Sequence, residues 1–245
     1  MYRFFVSKEN ILEDKIIVEG ADVNHIKNVL RMKIGETVLL SDGEDREYIC
    51  EISEIEEDRV FAKIVDVEGP SRELSIKVTL FQGLPKGDKM ETIIQKMVEL
   101  GAYSIVPVST KRAIVKLDAK KAKAKVARWN AISESAAKQS KRGIVPQVGD
   151  VLTFGEALNM AKDFDKVIIP YEEAENMEFT RKVVDSIEPG DRVAVFIGPE
   201  GGFAPEEVSK ALEIGAKSVT LGRRILRTET AGMALMSVLM YAMEE

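Results

Sequence analysis

The stretch of the chain richest in reactive side chains runs from Leu221 through Gly222, Arg223, Arg224, Ile225, Leu226, Arg227, Thr228, Glu229 and Thr230 to Ala231. Three arginines, a glutamate and two threonines stand there between a β-like run and an apolar, helix-like one. Part of this composition is what a helix start needs. Thr228 and Thr230 are good N-caps, and Glu229 suits the positive end of a helix dipole. Arg227 does not fit that explanation, because a cation at that end is unfavourable. An anionic or electron-rich substrate would explain it. A second stretch, Ile197-Gly198-Pro199-Glu200-Gly201-Gly202, combines glycine freedom with a proline clamp. It can bring bare backbone N–H and C=O groups against a flat ligand. It lacks the Gly-Lys-Ser/Thr ending of a phosphate-gripping loop and the G-x-G-x-x-G spacing of a dinucleotide site. The plainer alternative is a strand–helix turn with Pro205 near the helix start.

Other chemistries are excluded by what is missing. The 245 residues include one cysteine, Cys50, and one histidine, His25. No intramolecular disulfide can form, and no Cys/His zinc site can be assembled. A Ser-His-Asp relay would need His25 as its base, and no G-x-S-x-G elbow accompanies it. No metal is expected. No apolar run approaches the ~20 residues of a membrane helix, and the N-terminus lacks a signal-peptide pattern, so a cytoplasmic location and no membrane partner are expected. The net charge of −6 argues at first against nucleic acid. Its distribution argues otherwise: Lys111 to Arg142 holds eleven Lys/Arg against Asp118 and Glu134, a local +9, and the remainder carries −15. Phosphate binding follows local potential rather than the total. A solvated helix face is the alternative.

These segments need elements to hold them. The first 70 residues read as short strands: Arg3–Val6, Ile16–Val18, Val38–Ser41 ending at an Asp42-Gly43 turn, then Tyr48–Ile55 and Arg59–Val67 as an antiparallel pair, with a short helix over Asp22–Leu30. That is the pattern of a small β-barrel or sandwich. Glu68-Gly69-Pro70-Ser71 punctuates the chain and predicts a boundary between domains 1–70 and 71–245. Strands then alternate with helices, the rhythm of an α/β sheet. Strands are predicted at Ile76–Phe81, Ser104–Val108, Val167–Ile169, Arg192–Ile197 and Val219–Leu221. Helices are predicted at Asp88–Leu100, Ala119–Gln139, Phe154–Ala161, Met177–Ser186, Glu206–Ile214 and Thr230–Met243. Three of these strands lead into Pro170-Tyr171-Glu172, Ile197–Gly202 and Leu221–Ala231. Ligands bind at the carboxyl ends of strands in open α/β sheets, so three adjacent loops there would make one crevice.

The pattern over Val195–Met236, with its Ile-Gly-Pro-Glu-Gly-Gly-Phe203 and Leu-Arg-Thr-Glu-Thr-Ala231 segments, resembles the RsmE family of the SPOUT superfamily. The likeness continues upstream in Leu84-Pro-Lys-Gly-Asp-Lys-Met90, Gln95–Gly101, Glu134–Ser140, His25–Met32 and Asp42-Gly43, so it spans nearly the whole chain. Lys138 and Lys141 stand where that family commonly has an acidic residue and a glycine. The resemblance implies an α/β fold: a PUA-like β-barrel for RNA binding over 1–70, then a SPOUT methyltransferase domain over 71–245 with a C-terminal trefoil knot. It implies S-adenosyl-L-methionine as cofactor, methylation of uridine N3 in 16S ribosomal RNA within the small ribosomal subunit, and a homodimer.

The resemblance also distributes roles. Arg227 would stabilise the charge that builds on the uracil, and Glu229 would take the proton or orient Arg227. The cofactor would sit against Pro170, Tyr171, Glu172, Ile197, Gly198, Pro199, Glu200, Gly201, Gly202, Leu221, Gly222, Ile225, Leu226, Thr230 and Ala231. RNA phosphates would meet Arg3, Lys27, Arg31, Lys86, Lys111, Arg112, Lys138, Gln139, Lys141 and Arg142. The alternatives are a SPOUT enzyme acting on 23S ribosomal RNA or transfer RNA, and a non-catalytic RNA-binding assembly protein on the same fold.

Overall fold

A computed structural model describes residues 1–43, 46–69, 73–172, 174 and 176–244; the boundary predicted at Pro70-Ser71 lies outside them. The chain is mixed α/β and forms two compact units: Met1–Glu73 with Ala137–Val145, and Leu74–Ala136 with Pro146–Glu245.

In the first unit, β1 (Tyr2–Phe5), β2 (Lys15–Glu19), β3 (Thr37–Ser41), β4 (Glu47–Ile55) and β5 (Arg59–Glu68) make a sheet in the order β1-β3-β4-β5-β2. Only the β1–β3 pair is parallel. Among the described residues no pairing joins β1 to β2, and the sheet curls as a half-barrel. Its core gathers alternate strand residues, including Ile16 and Val18, Val38 and Leu40, Cys50 and Ile52, and Val60 and Ala62. The helix predicted over Asp22–Leu30 is one turn of α-helix, α1 (Ala21–Asn24), widening into a π turn at His25–Val29. His25 packs edge-on to Phe4. Burial pushes the Cys50 thiol up to about 12, so it carries no thiolate near neutral pH.

Ala137–Val145 belongs to this unit although it falls within the span predicted for the second domain. Buried polar groups explain why. Ser41 Oγ donates to the Gly143 carbonyl (2.6 Å), and Glu73 accepts the Gly143 N–H (2.9 Å) and pairs with Arg142. Lys141 closes the preceding helix in the left-handed region at φ 59°, with Arg142 N–H returning to Ala137 O (2.9 Å) and Lys141 N–H to Lys138 O (3.3 Å). That is the position where glycine is unstrained. Lys141→Gly is expected to raise stability by about 1 kcal/mol, measured as the midpoint of urea unfolding; an unchanged or lower midpoint would contradict this account of the helix end.

The second unit contains β6 (Lys77–Gly83), α2 (Lys89–Glu99), β7 (Ser104–Ser109), α3 (Ala119–Ser140, whose last residues pack with the first unit), β8 (Gln147–Val148), β9 (Leu152–Thr153) and α4 (Phe154–Ala161). After them come β10 (Lys166–Pro170), α5 (Met177–Asp185), β11 (Arg192–Ile197), α6 (Pro205–Glu213), β12 (Lys217–Val219) and α7 (Thr228–Met243). All strands pair in parallel, in the order β12-β10-β11-β6-β7-β8, with β9 also on β7. Helices cover both faces, which is why Val193 to Ile197 are buried without a break. One face packs Phe81, Phe196, Phe154 and Phe203 under α4 and α6, with Phe81 and Phe196 stacked at 4.5 Å. On the other, Gly232 of α7 lies close over Leu80, Ile197 and Met97.

Several elements depart from the prediction. The two-residue strands β8 and β9 carry too few residues to show a period; β8 is held by Asn130, whose side chain bonds both the N–H and the C=O of Val148 (2.9 and 2.8 Å). β12 ends two residues before the predicted Leu221 because Thr220 N–H turns to Thr180 Oγ1 (3.1 Å). α7 starts at Thr228 rather than Thr230, with Arg227 at the N-cap and no side-chain cap.

Candidate active site

β12, β10, β11 and β6 lie side by side and point the same way, so their carboxyl ends open on one edge of the sheet. Two adjoining clefts, of about 530 and 820 Å³, lie there and share Pro170, Tyr171, Glu172, Ile225, Leu226 and Ala231. Their size is that of a small-molecule site. The three loops singled out in the sequence therefore do converge. Ile197 to Gly202 line the first cleft, and Leu221 and Gly222 line the second. Thr230 lines neither; it is exposed on α7.

The Gly198–Gly202 loop is held in shape by close backbone approach. A Cβ on Gly83 would stand 2.6 Å from Pro199 Cδ, and one on Gly198 would stand 3.1 Å from the Gly202 backbone. Gly202 takes φ 65° as its N–H turns back to Pro199 O (2.9 Å). From below, fully buried Gln82 donates through Nε2 to Gly83 O and to Thr228 Oγ1 (both 2.9 Å), and Thr228 donates onward to Gly198 O (2.6 Å). The acceptor-only carbonyls at both ends fix the direction of every hydrogen in that chain. Thr228 thus ties α7 to the loop and does not cap its own helix. Thr228→Val leaves a buried donor and a buried acceptor unpaired, and is expected to cost about 2 kcal/mol of stability and to weaken ligand binding. Thr228→Ser should restore both in denaturant titration and calorimetry. Equal behaviour of the valine and serine variants would remove the hydroxyl from this role.

At the rim, Lys89 Nζ sits between Glu200 (3.0 Å) and Glu229 (3.3 Å). The Glu200 hydrogen bond, and then Glu229, hold the Lys89 ammonium above its ordinary range against a burial penalty. Burial would raise the Glu200 carboxyl, but bonds from its own N–H, from Lys89 and from Lys86 N–H outweigh this and hold it low. The two residues assigned to chemistry separate here. Arg227 is exposed, lines the first cleft, and has no ion-pair partner among the described residues. Glu229 is not among the residues lining the clefts; it faces Lys89. Lys89 and Gln82 went unassigned in the sequence, and Thr228 was read there only as a helix cap, a role the structure does not give it. Gln82 carried the clearest signal, as a long polar side chain directly after the apolar pair Leu80-Phe81 near the end of a predicted strand.

The cations expected to meet RNA divide sharply. Arg3 is buried against Glu47, and Arg142, only 3% exposed, against Glu73. Both guanidinium groups are committed to carboxylates inside the first unit. Lys138 pairs with Asp22 (3.2 Å), Lys111 with Glu206, and Lys27 donates to the carbonyls of Glu56 and Glu57. Arg112 lines the first cleft and donates to Gly201 O (3.2 Å). Arg31, Lys86, Gln139 and Lys141 are exposed. No group of three His, Cys, Asp or Glu residues able to hold a metal occurs among the described residues, and no helix there is long and apolar enough to cross a membrane.

Comparison with known proteins identifies the family. Residues 72–240 match the RNA methyltransferase domain family, and residues 18–65 the RNA methyltransferase PUA domain family. The ribosomal RNA small subunit methyltransferase E of Bacillus subtilis is 40% identical, over 100% of this chain and 98% of its own length. That of Mesomycoplasma hyopneumoniae is 32% identical, over 97% and 98%. The crystal structure of the Neisseria gonorrhoeae protein of that name, bound to S-adenosyl methionine, superposes with a TM-score of 0.82 at 33% identity, covering 98% of this chain and 97% of that one. With both of its units matched and full-length relatives at this identity, the chain belongs to the ribosomal RNA small subunit methyltransferase E family.

Proposed function

We propose that this chain transfers a methyl group from S-adenosyl-L-methionine to N3 of a uridine in 16S ribosomal RNA, acting in the cytoplasm on the small ribosomal subunit, as a homodimer with a knotted C-terminal segment. The observation that carries the reading is Arg227, a cation with no ion-pair partner among the described residues, exposed in a cleft that the glycine loop, Ile197, Leu226 and Ala231 also line. The cleft suits the cofactor: Ile197, Leu226 and Ala231 supply an apolar wall for a flat purine, and Gly198, with the Gly202 backbone where a Cβ would stand, keeps the loop beside that wall compact. When bound, the cofactor supplies an electrophilic methyl group, so the protein's task is alignment, exclusion of water and charge stabilisation.

N3–H of uracil is a weak acid, and negative charge spreads over N3 and the flanking carbonyl oxygens as the proton leaves. Arg227, held at the N-cap of α7, faces that charge and stabilises it. Glu229 holds Lys89 at the rim, and Lys89 in turn fixes Glu200 of the loop, so Glu229 acts as a positioning residue. The half-barrel and the exposed cations hold phosphates and position the RNA without choosing the base. A stacked uridine reaches the cleft only by leaving its stack.

The test is transfer of labelled methyl to small ribosomal subunits, naked 16S ribosomal RNA and bulk transfer RNA, with product nucleosides identified by mass spectrometry. 3-Methyluridine in the small-subunit RNA is expected. Label in transfer RNA, or in a different nucleoside, would replace this substrate with another.

A further inference from the structure

α3 opens with cations at the unfavourable end of a helix. Its first turn holds no acidic residue, yet Lys120 and Lys121 stand there beside the positive pole of the dipole. Lys120 and Lys123, and Lys121 and Lys125, are one turn apart, where like charges repel. From Lys111 to Arg128 eight cations face one acid, Asp118. A solvated helix face ordinarily mixes its signs, so the crowding of like charges at this helix start is a cost to the fold.

Neighbouring groups neutralise only part of it. Asp118 accepts the Lys121 N–H (2.8 Å) and pairs with its ammonium (3.4 Å), and Glu91 pairs with Arg128 (2.8 Å). Lys125 lies over the Trp129 ring at 5.8 Å. Lys116, Lys120 and Lys123 are exposed and make no side-chain hydrogen bond or ion pair among the described residues. Ala124 and Ala127, also exposed, continue the face of Lys120 and Lys123 at helical spacing. That stretch of the face therefore carries lysines and alanines. The cations that the sequence suggested for this task are largely occupied: Arg3, Arg142, Lys138 and Lys111 each have a carboxylate partner.

We propose that the N-terminal half of α3, centred on Lys120 and Lys123 with Lys116 just before it, is a phosphate track for the RNA substrate. The inference rests on the RNA reading above. Such a track touches phosphates and no base edge, so it contributes affinity and salt dependence and leaves the choice of nucleotide to the cleft.

The full chain, a variant with Lys116→Gln, Lys120→Gln and Lys123→Gln, and a variant with all three lysines changed to Glu are titrated with naked 16S ribosomal RNA across salt concentrations. Cofactor affinity and thermal midpoint are measured on the same samples. The glutamine variant is expected to lose about 2 to 3 from the log–log salt slope and to bind RNA roughly tenfold more weakly at physiological salt, with cofactor affinity unchanged. The glutamate variant is expected to bind RNA more weakly still while its thermal midpoint holds or rises, because acids suit a helix start. Parental slope and affinity in both variants would overturn the track and leave the RNA reading standing. Failure of the unaltered chain to bind RNA would overturn both.

Discussion

Arg227→Ala is expected to lower the turnover number for methyl transfer by about two to three orders of magnitude, the usual effect of removing a preorganised donor from developing negative charge. Cofactor affinity should stay within about threefold, because the Arg227 backbone, which carries the carbonyl accepting the Ala231 N–H (2.8 Å), is retained. Stability should hold or rise by a few tenths of a kcal/mol, since the substitution removes a cation from the positive end of α7. That opposite sign separates a chemical role from a structural one. Arg227→Lys keeps the charge but loses the planar fork, and should recover only part of the rate. Single-turnover kinetics with calorimetry checks all three quantities. An alanine variant with a turnover number within about threefold of the parent would take Arg227 out of the reaction.

Gly83→Ala tests the other half of the site without replacing any residue that lines the clefts. The new Cβ would lie 2.6 Å from Pro199 Cδ and 2.7 Å from Pro199 N, well inside contact, so either β6 or the Gly198–Gly202 loop must move. Overpacking of this kind costs roughly 1 to 3 kcal/mol. If the loop relieves it by moving, cofactor binding has to restore the geometry, and affinity should fall about ten- to a hundredfold. Gly155→Ala is the control: it sits in α4 with nothing within 4 Å of the added carbon and should leave binding unchanged. Cofactor titration of both variants, beside their unfolding curves, reads the difference. Unaltered affinity in Gly83→Ala would mean that the loop geometry does not govern the cofactor site.

The sequence made much of this legible because the site is built from short contiguous segments. Strand, loop and helix follow one another at Arg192–Ile197, Gly198–Gly202 and Pro205–Glu213, and each has a local signature: a buried β run, glycines with proline, and proline at a helix start. What escaped was long-range. Nothing near Thr228 says that its hydroxyl serves Gly198 rather than its own helix, because the acceptor lies 30 residues away. Nothing near Arg3 or Arg142 says that Glu47 and Glu73 bury them. Local charge count sees a cation and cannot see the carboxylate folded against it. The same limit applies to Glu229, whose partner Lys89 sits on another helix.

The pairing of β11 with β6 has a kinetic side. Arg192–Ile197 adds to Lys77–Gln82 in register, joining segments far apart in the chain, and the closure entropy of so long a loop is spent before any contact returns it. Gln82, Gly83, Gly198 and Thr228 meet only through that closure. The cleft therefore has no partial version: partly folded chains can hold helices and the half-barrel yet offer the cofactor no cradle. Ligand that binds only the finished cleft draws the population toward it by mass action, so cofactor should protect this sheet against opening more strongly than it protects the half-barrel.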